Sequence, residues 1–76
     1  MGQKSEQVAG LMENFPCPLH TLKFLGAPID YVSIDLDNEL ITFIEVKTGQ
    51  SQLSDKQRKI KKLVEEGKVR FEVYRM

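Results

Sequence analysis

The sequence predicts a small α/β domain in the order helix, three strands, helix, strand, and three observations carry that prediction. Apolar residues recur at helical spacing near the amino terminus, and two runs rich in β-branched and aromatic residues flank Asp37-Asn38. A capping box then opens a basic helical stretch that ends near Gly67.

Each element has its own local cause. Over residues 5–14, Val8, Leu11 and Met12, with Phe15 just beyond, line one helical face, and Pro16 and Pro18 end the helix by removing N–H donors. Residues 21–25 form a short strand, and Gly26-Ala27-Pro28 is a turn. Residues 30–36 and 39–47 are the next two strands, joined by Asp37-Asn38 as a two-residue hairpin turn. Thr48-Gly49-Gln50-Ser51-Gln52 is a polar loop, and Ser54-Asp55-Lys56-Gln57 is the capping box of the second helix. Gly67 stands where a helix end favours a left-handed residue, and residues 69–74 alternate as a last strand.

With 76 residues, the chain reads as one small domain, 1–76, of a size that buries only about 60% of its unfolded surface. A homodimer is therefore expected. Its 41% hydrophobic and 29% charged residues are those of a globular chain, which excludes disorder. No apolar run approaches the roughly 20 residues of a membrane span, and no signal-peptide pattern opens the chain. Cys17 is the only cysteine, which excludes an intramolecular disulfide and a cysteine metal cage, so a reducing cytoplasm is the expected location. Net charge is zero, yet residues 1–45 hold two Lys against seven acids, a balance of −5. Residues 46–76 hold nine Lys or Arg against four acids, a balance of +5. The acidic part suits a metal and the basic part suits phosphate, although a lysine run also serves as a solvated helix face.

Asp30, Glu45 and Lys47 are the candidates for chemistry. If Leu36 pairs with Glu39 across the turn, the ladder runs through Ile34 with Ile41 and Val32 with Phe43, and sets Asp30 opposite Glu45. Their Cβ atoms then lie roughly 5 Å apart. Lys47 follows Glu45 by two residues, so it shares that face. The rest of the face, Val32, Ile34, Leu36, Ile41 and Phe43, is apolar and expected to be buried. An acid pair at the end of such a stripe is costly unless a cation or strong donors compensate it. Two carboxylates and an amine so placed suit metal-assisted hydrolysis. The competing reading is a plain Glu45–Lys47 ion pair with Asp30 as a turn acid. A slip of one residue would send the two acids to opposite faces, whereas a turn of two or four residues keeps them together.

This order of elements, with acids on the second and third strands, resembles the PD-(D/E)XK nuclease superfamily and, more narrowly, endonucleases related to archaeal Holliday junction resolvases. The residues that carry the resemblance are Ser5-Glu6-Gln7, Phe24-Leu25-Gly26-Ala27-Pro28-Ile29-Asp30-Tyr31, Phe43-Ile44-Glu45-Val46-Lys47-Thr48-Gly49, Leu53-Ser54 and Gln57-Arg58-Lys59-Ile60. The resemblance implies a minimal restriction-endonuclease-like αβββαβ core, a mixed four-stranded sheet flanked by two helices. It implies metal-dependent hydrolysis of DNA phosphodiesters, selective for branched or junction DNA, by a homodimer. Asp30, Glu45 and the carbonyl of Val46 match the metal ligands, for which Mg2+ or Mn2+ is the implied cofactor. Lys47 matches the lysine that orients the attacking water and stabilises developing charge.

Other residues carry two readings each. Glu6 matches a first-helix glutamate of the resolvases, yet it projects away from the apolar stripe, as Glu13 does. Gln57 shares the inward side of its helix with Ile60, Leu63 and Val64, and it also completes the capping box. Lys56, Arg58, Lys59, Lys61, Lys62 and Arg70 are the pool for contacts to the DNA backbone. His20 and Cys17 lack partners for catalysis and are assigned no chemistry, and Tyr31 and Ser33 are expected to pack against a helix. Two departures from the resolvase pattern bear on substrate: Met1-Gly2-Gln3-Lys4 replaces an Arg-rich start, and Ala-Pro-Ile precedes Asp30. The chain is also short enough to be a domain of a longer protein. The alternatives to an endonuclease are a non-catalytic nucleic-acid-binding or assembly module on the same scaffold, and a small enzyme acting on nucleotides or RNA.

Overall fold

The computed structural model describes residues 14–76. The chain divides into two compact units, Met1–Val46 and Lys47–Met76, and each is described by itself.

In the first unit a 3-10 turn, Leu19–Thr21, leads into β1 (Leu22–Phe24), β2 (Tyr31–Asp35) and β3 (Leu40–Ile44). The three strands form one sheet in the order β1-β2-β3, antiparallel at both pairings. A turn around Gly26 joins β1 to β2, and the Asp30 carbonyl closes it by accepting from the N–H groups of Leu25 at 2.8 Å and Gly26 at 3.3 Å. Gly26 has φ 94, a left-handed conformation that favours glycine, and a Cβ there would stand 3.3 Å from the Phe24 ring.

The hairpin register agrees with the sequence reading: Val32 pairs with Phe43 and Ile34 with Ile41. The connection is longer than expected. Residues 36–39 form a four-residue loop in place of a two-residue turn, closed by Glu39 N–H donating to the Leu36 carbonyl at 3.3 Å. Glu39 takes φ 57 to turn the chain back into β3. Because four and two have the same parity, the faces are unchanged. Asp35 organises the loop, with Oδ1 accepting from Asn38 N–H at 3.1 Å and Oδ2 from Asn38 Nδ2 at 2.8 Å.

The expected burial is reversed. The face of Val32, Ile34, Ile41 and Phe43 is largely open, with Ile34 42% exposed. The opposite face, carrying Ser33, Asp35 and Ile44, is the buried one, and Ser33 is only 1% exposed. A hydroxyl relay explains how a serine sits there. Thr21 Oγ1 donates to the Pro18 carbonyl at 2.6 Å, which commits its one proton, so Ser33 Oγ donates to Thr21 Oγ1 at 2.6 Å. Among the described residues, Ser33 thus packs beneath the 3-10 turn. Tyr31, on the same face, meets Phe24 edge to face with ring centroids 5.8 Å apart.

In the second unit α1 spans Asp55–Glu65. Its capping box is complete: Ser54 Oγ accepts from Gln57 N–H at 3.2 Å, and Gln57 Oε1 accepts from Ser54 N–H at 3.0 Å. At its end Gly67, φ 72, donates to the Val64 carbonyl and Lys68 to the Leu63 carbonyl, a Schellman closure.

Two parts of the expected architecture are not shown among the described residues. Among the described residues the sheet has three strands, all antiparallel, and one α-helix is present, where a mixed four-stranded sheet flanked by two helices was expected. Residues 69–74 join no ladder, although their alternation is real: Val69, Phe71 and Val73 are all exposed. Alternation specifies side-chain faces, but a strand needs a hydrogen-bonding neighbour. The expected first helix falls, up to residue 13, outside the described residues.

Candidate active site

Asp30 immediately precedes β2 and Glu45 immediately follows β3, one residue beyond the last ladder pair, Tyr31 with Ile44. They are joined by reciprocal bonds. Asp30 N–H donates to Glu45 Oε1 at 3.0 Å, and Val46 N–H donates to Asp30 Oδ2 at 3.0 Å. These bonds bring Asp30 and Glu45 together across the hairpin, in keeping with the register read from the sequence. It also explains why β3 ends at Ile44 and does not run to residue 47: the N–H groups that would extend the ladder donate to side chains instead. Both acids are half-buried.

The donor set fits a hard divalent cation in kind. Each carboxylate gives one oxygen to a backbone N–H, and Asp30 Oδ1 accepts no hydrogen bond among the described residues. No group of three or more His, Cys, Asp or Glu side chains gathers among the described residues, so the carboxylate contribution there is limited to this pair. Main-chain carbonyl or water oxygens would have to complete a coordination sphere. Glu6, the candidate third acid, lies outside the described residues.

Lys47 opens the second unit, exposed, two residues after Glu45. Gln57 is half-buried and its Oε1 caps the Ser54 N–H, as the capping-box reading required. Of the expected phosphate-binding cations, Arg58 is exposed but bonded within its own unit. Nη1 donates to the Leu53 carbonyl at 2.7 Å and Nη2 pairs with the Asp55 carboxylate. Sequence reasoning missed this clasp, for which the signal was an Arg three residues after an Asp in the first helical turn. Arg58 also lines a cleft of about 550 Å3 with Gln50, Ser51, Gln52 and Leu53.

A second cleft, of about 390 Å3, lies between His20, Lys23 and Asp35. Neither cleft is lined by Asp30 or Glu45. Asp35 is engaged in structure, not chemistry. The Asn38 side-chain and backbone N–H groups hold its carboxyl below the ordinary 3.8, against burial, with a smaller contribution from the His20 charge. A lowered folded value means that the stabilisation is complete above about pH 4 and is lost as pH falls through that lower value. Asn38→Ala is accordingly expected to flatten the fall of melting temperature between pH 4 and pH 2, followed by circular dichroism. An acid limb identical to that of the parent would refute the assignment.

Asp30 and Glu45 are thus a half-buried acid pair at one end of a three-stranded antiparallel sheet, with Lys47 two residues further along the chain. Residues 1–76 match the model of the family described as endonuclease related to archaeal Holliday junction resolvase. The chain belongs to that family. No curated protein matches the chain. No solved structure matches it. No helix among the described residues is long and apolar enough to cross a membrane.

Proposed function

We propose that the chain is a metal-dependent DNA endonuclease that selects branched DNA and acts as a homodimer. The observation that carries this reading is the reciprocal hydrogen bonding of Asp30 and Glu45 in a member of the resolvase-related family. Asp30, Glu45 and the Val46 carbonyl would hold Mg2+ or Mn2+. When bound, such an ion polarises the scissile phosphate and lowers the pKa of a water. The backbone N–H groups of Asp30 and Val46 orient the two carboxylates before any ion arrives. Lys47 orients the attacking water and stabilises negative charge that develops on phosphate. Hydrolysis adds water across one P–O ester bond. Glu6 and Gln57 are the candidates for additional polar groups at the reacting phosphate.

Dimerisation is supported by how little is buried: Ile29 and Ile44 are the buried hydrophobic residues among those described, while residues such as Phe71, 89% exposed, remain open. The test of function uses the pure protein on four-way junctions, flaps, linear duplex and single strands, with Mg2+, Mn2+ or EDTA. Cleavage of branched DNA that needs the ion is the expected result. Failure to cut any of them would favour a non-catalytic module, and turnover of RNA with DNA untouched would favour the nucleotide or RNA enzyme.

A further inference from the structure

We infer that DNA is met by a ridge of three lysines on α1, Lys56, Lys59 and Lys62, and that the neighbouring cations are taken up by acids of the chain itself. The inference rests on the DNA reading above and deepens it by dividing the basic residues into two groups. The dividing observation is their partners. Arg58 is held by the Leu53 carbonyl and Asp55, Lys61 pairs with Glu65 at 3.0 Å, and Arg70 pairs with Glu72 at 3.6 Å. Each of these presents a phosphate with an acid at its side. Lys56, Lys59 and Lys62 are exposed and have no acid within 4.0 Å among the described residues.

Helical geometry makes the three a ridge. They recur every third residue, so successive members rise about 4.5 Å along the axis and their Cβ atoms stand about 5–6 Å apart. The half-buried side of α1, Gln57, Ile60 and Val64, lies elsewhere on the helix. The acids that could interrupt the ridge are engaged: Asp55 by Arg58 at one end, and Glu66 by Lys68 at 3.4 Å at the other. What remains is a short row of like charges at regular spacing. Successive phosphates of one DNA strand rise about 3.4 Å along the duplex axis while winding around it, so adjacent phosphates fall within reach of adjacent lysines. An anionic membrane surface fits less well, because a helix that lies on lipid exposes a broad apolar face, and the apolar Ile60 and Val64 are half-buried.

Backbone contacts of this kind fix position without reading bases, which is what a structure-selective enzyme requires. Arg58, by contrast, is a positioning residue that ties the loop end at Leu53 to the first turn of α1.

The salt dependence of DNA binding tests the division. Binding of a labelled four-way junction is followed by fluorescence anisotropy in EDTA between 50 and 200 mM salt. Each of Lys56→Gln, Lys59→Gln and Lys62→Gln is expected to reduce the slope of log K against log[salt] by about 0.9 per bound chain. Each removes roughly a threefold dependence over that salt range. In cleavage assays the same variants should raise KM with little change in kcat, and circular dichroism should show an intact fold. Lys61→Gln and Arg70→Gln should leave the slope as it is. Equal slopes for ridge and paired variants, or an unchanged slope in the triple ridge variant of a protein that still binds and cuts DNA, would overturn the ridge alone. A parent protein that binds no junction at any salt would overturn both the ridge and the DNA reading beneath it.

Discussion

Replacing Asp30 by Asn or Glu45 by Gln is expected to slow DNA cleavage by about 10^3-fold, or ~4 kcal/mol of transition-state stabilisation, without lowering the melting temperature in metal-free buffer. The two expectations separate function from structure. Asn and Gln each keep a carbonyl oxygen, so the bonds from Val46 N–H and Asp30 N–H survive. Metal should then stabilise only the parent protein. At an ion concentration 100 times its dissociation constant, linkage gives about 2.7 kcal/mol, which for a chain of this size raises the melting temperature by roughly 10–20 °C. Single-turnover cleavage and melts with and without Mg2+ check both parts. Undiminished cleavage in both variants and in Lys47→Ala would remove the site assignment, and melting well below the parent would make the acids structural.

Thr21→Val should give the largest loss of stability among conservative changes in the first unit, about 2 kcal/mol, or roughly 8–16 °C in melting temperature. The reason is the direction of the hydroxyl relay. Ser33 donates to Thr21, so valine leaves a fully buried O–H with no acceptor. The Pro18 carbonyl is less affected, since it also accepts from Thr21 N–H at 3.1 Å. Ser33→Ala removes only the outer donor and should lose about 1 kcal/mol. The Thr21→Val/Ser33→Ala pair should then be more stable than Thr21→Val alone, because no polar group is left stranded. Additive losses in the double variant would disprove the relay.

The strands, their register and the cross-hairpin acids were legible because they depend on period-2 patterning and on loop parity. Both are properties of the chain itself. The loop length was not legible, since Glu39 takes a left-handed conformation for which a Gly or Asn would have been the usual signal. The choice of buried face failed for a related reason. Hydropathy favours Val32, Ile34, Ile41 and Phe43, but Ser33 is covered by a 3-10 turn whose hydroxyl and carbonyl groups satisfy it. Capping signals at Ser54, Gln57 and Gly67 were readable because they act within a few residues. The fourth strand is not shown: residues 69–74 carry the pattern of a strand, and among the described residues they join no ladder. Among the basic residues, the i, i+3 spacing of Asp55 and Arg58 was a signal for a pair, but the bond to the Leu53 carbonyl had none.

The paired bonds from Asp30 N–H and Val46 N–H to the opposing carboxylates have a spectroscopic consequence. An amide proton shared with a carboxylate resonates at a frequency that follows the charge on that oxygen. Two peaks in an amide correlation spectrum, those of Asp30 and Val46, therefore report ion capture at the site directly. Moving together during a magnesium titration, they would give occupancy without any turnover.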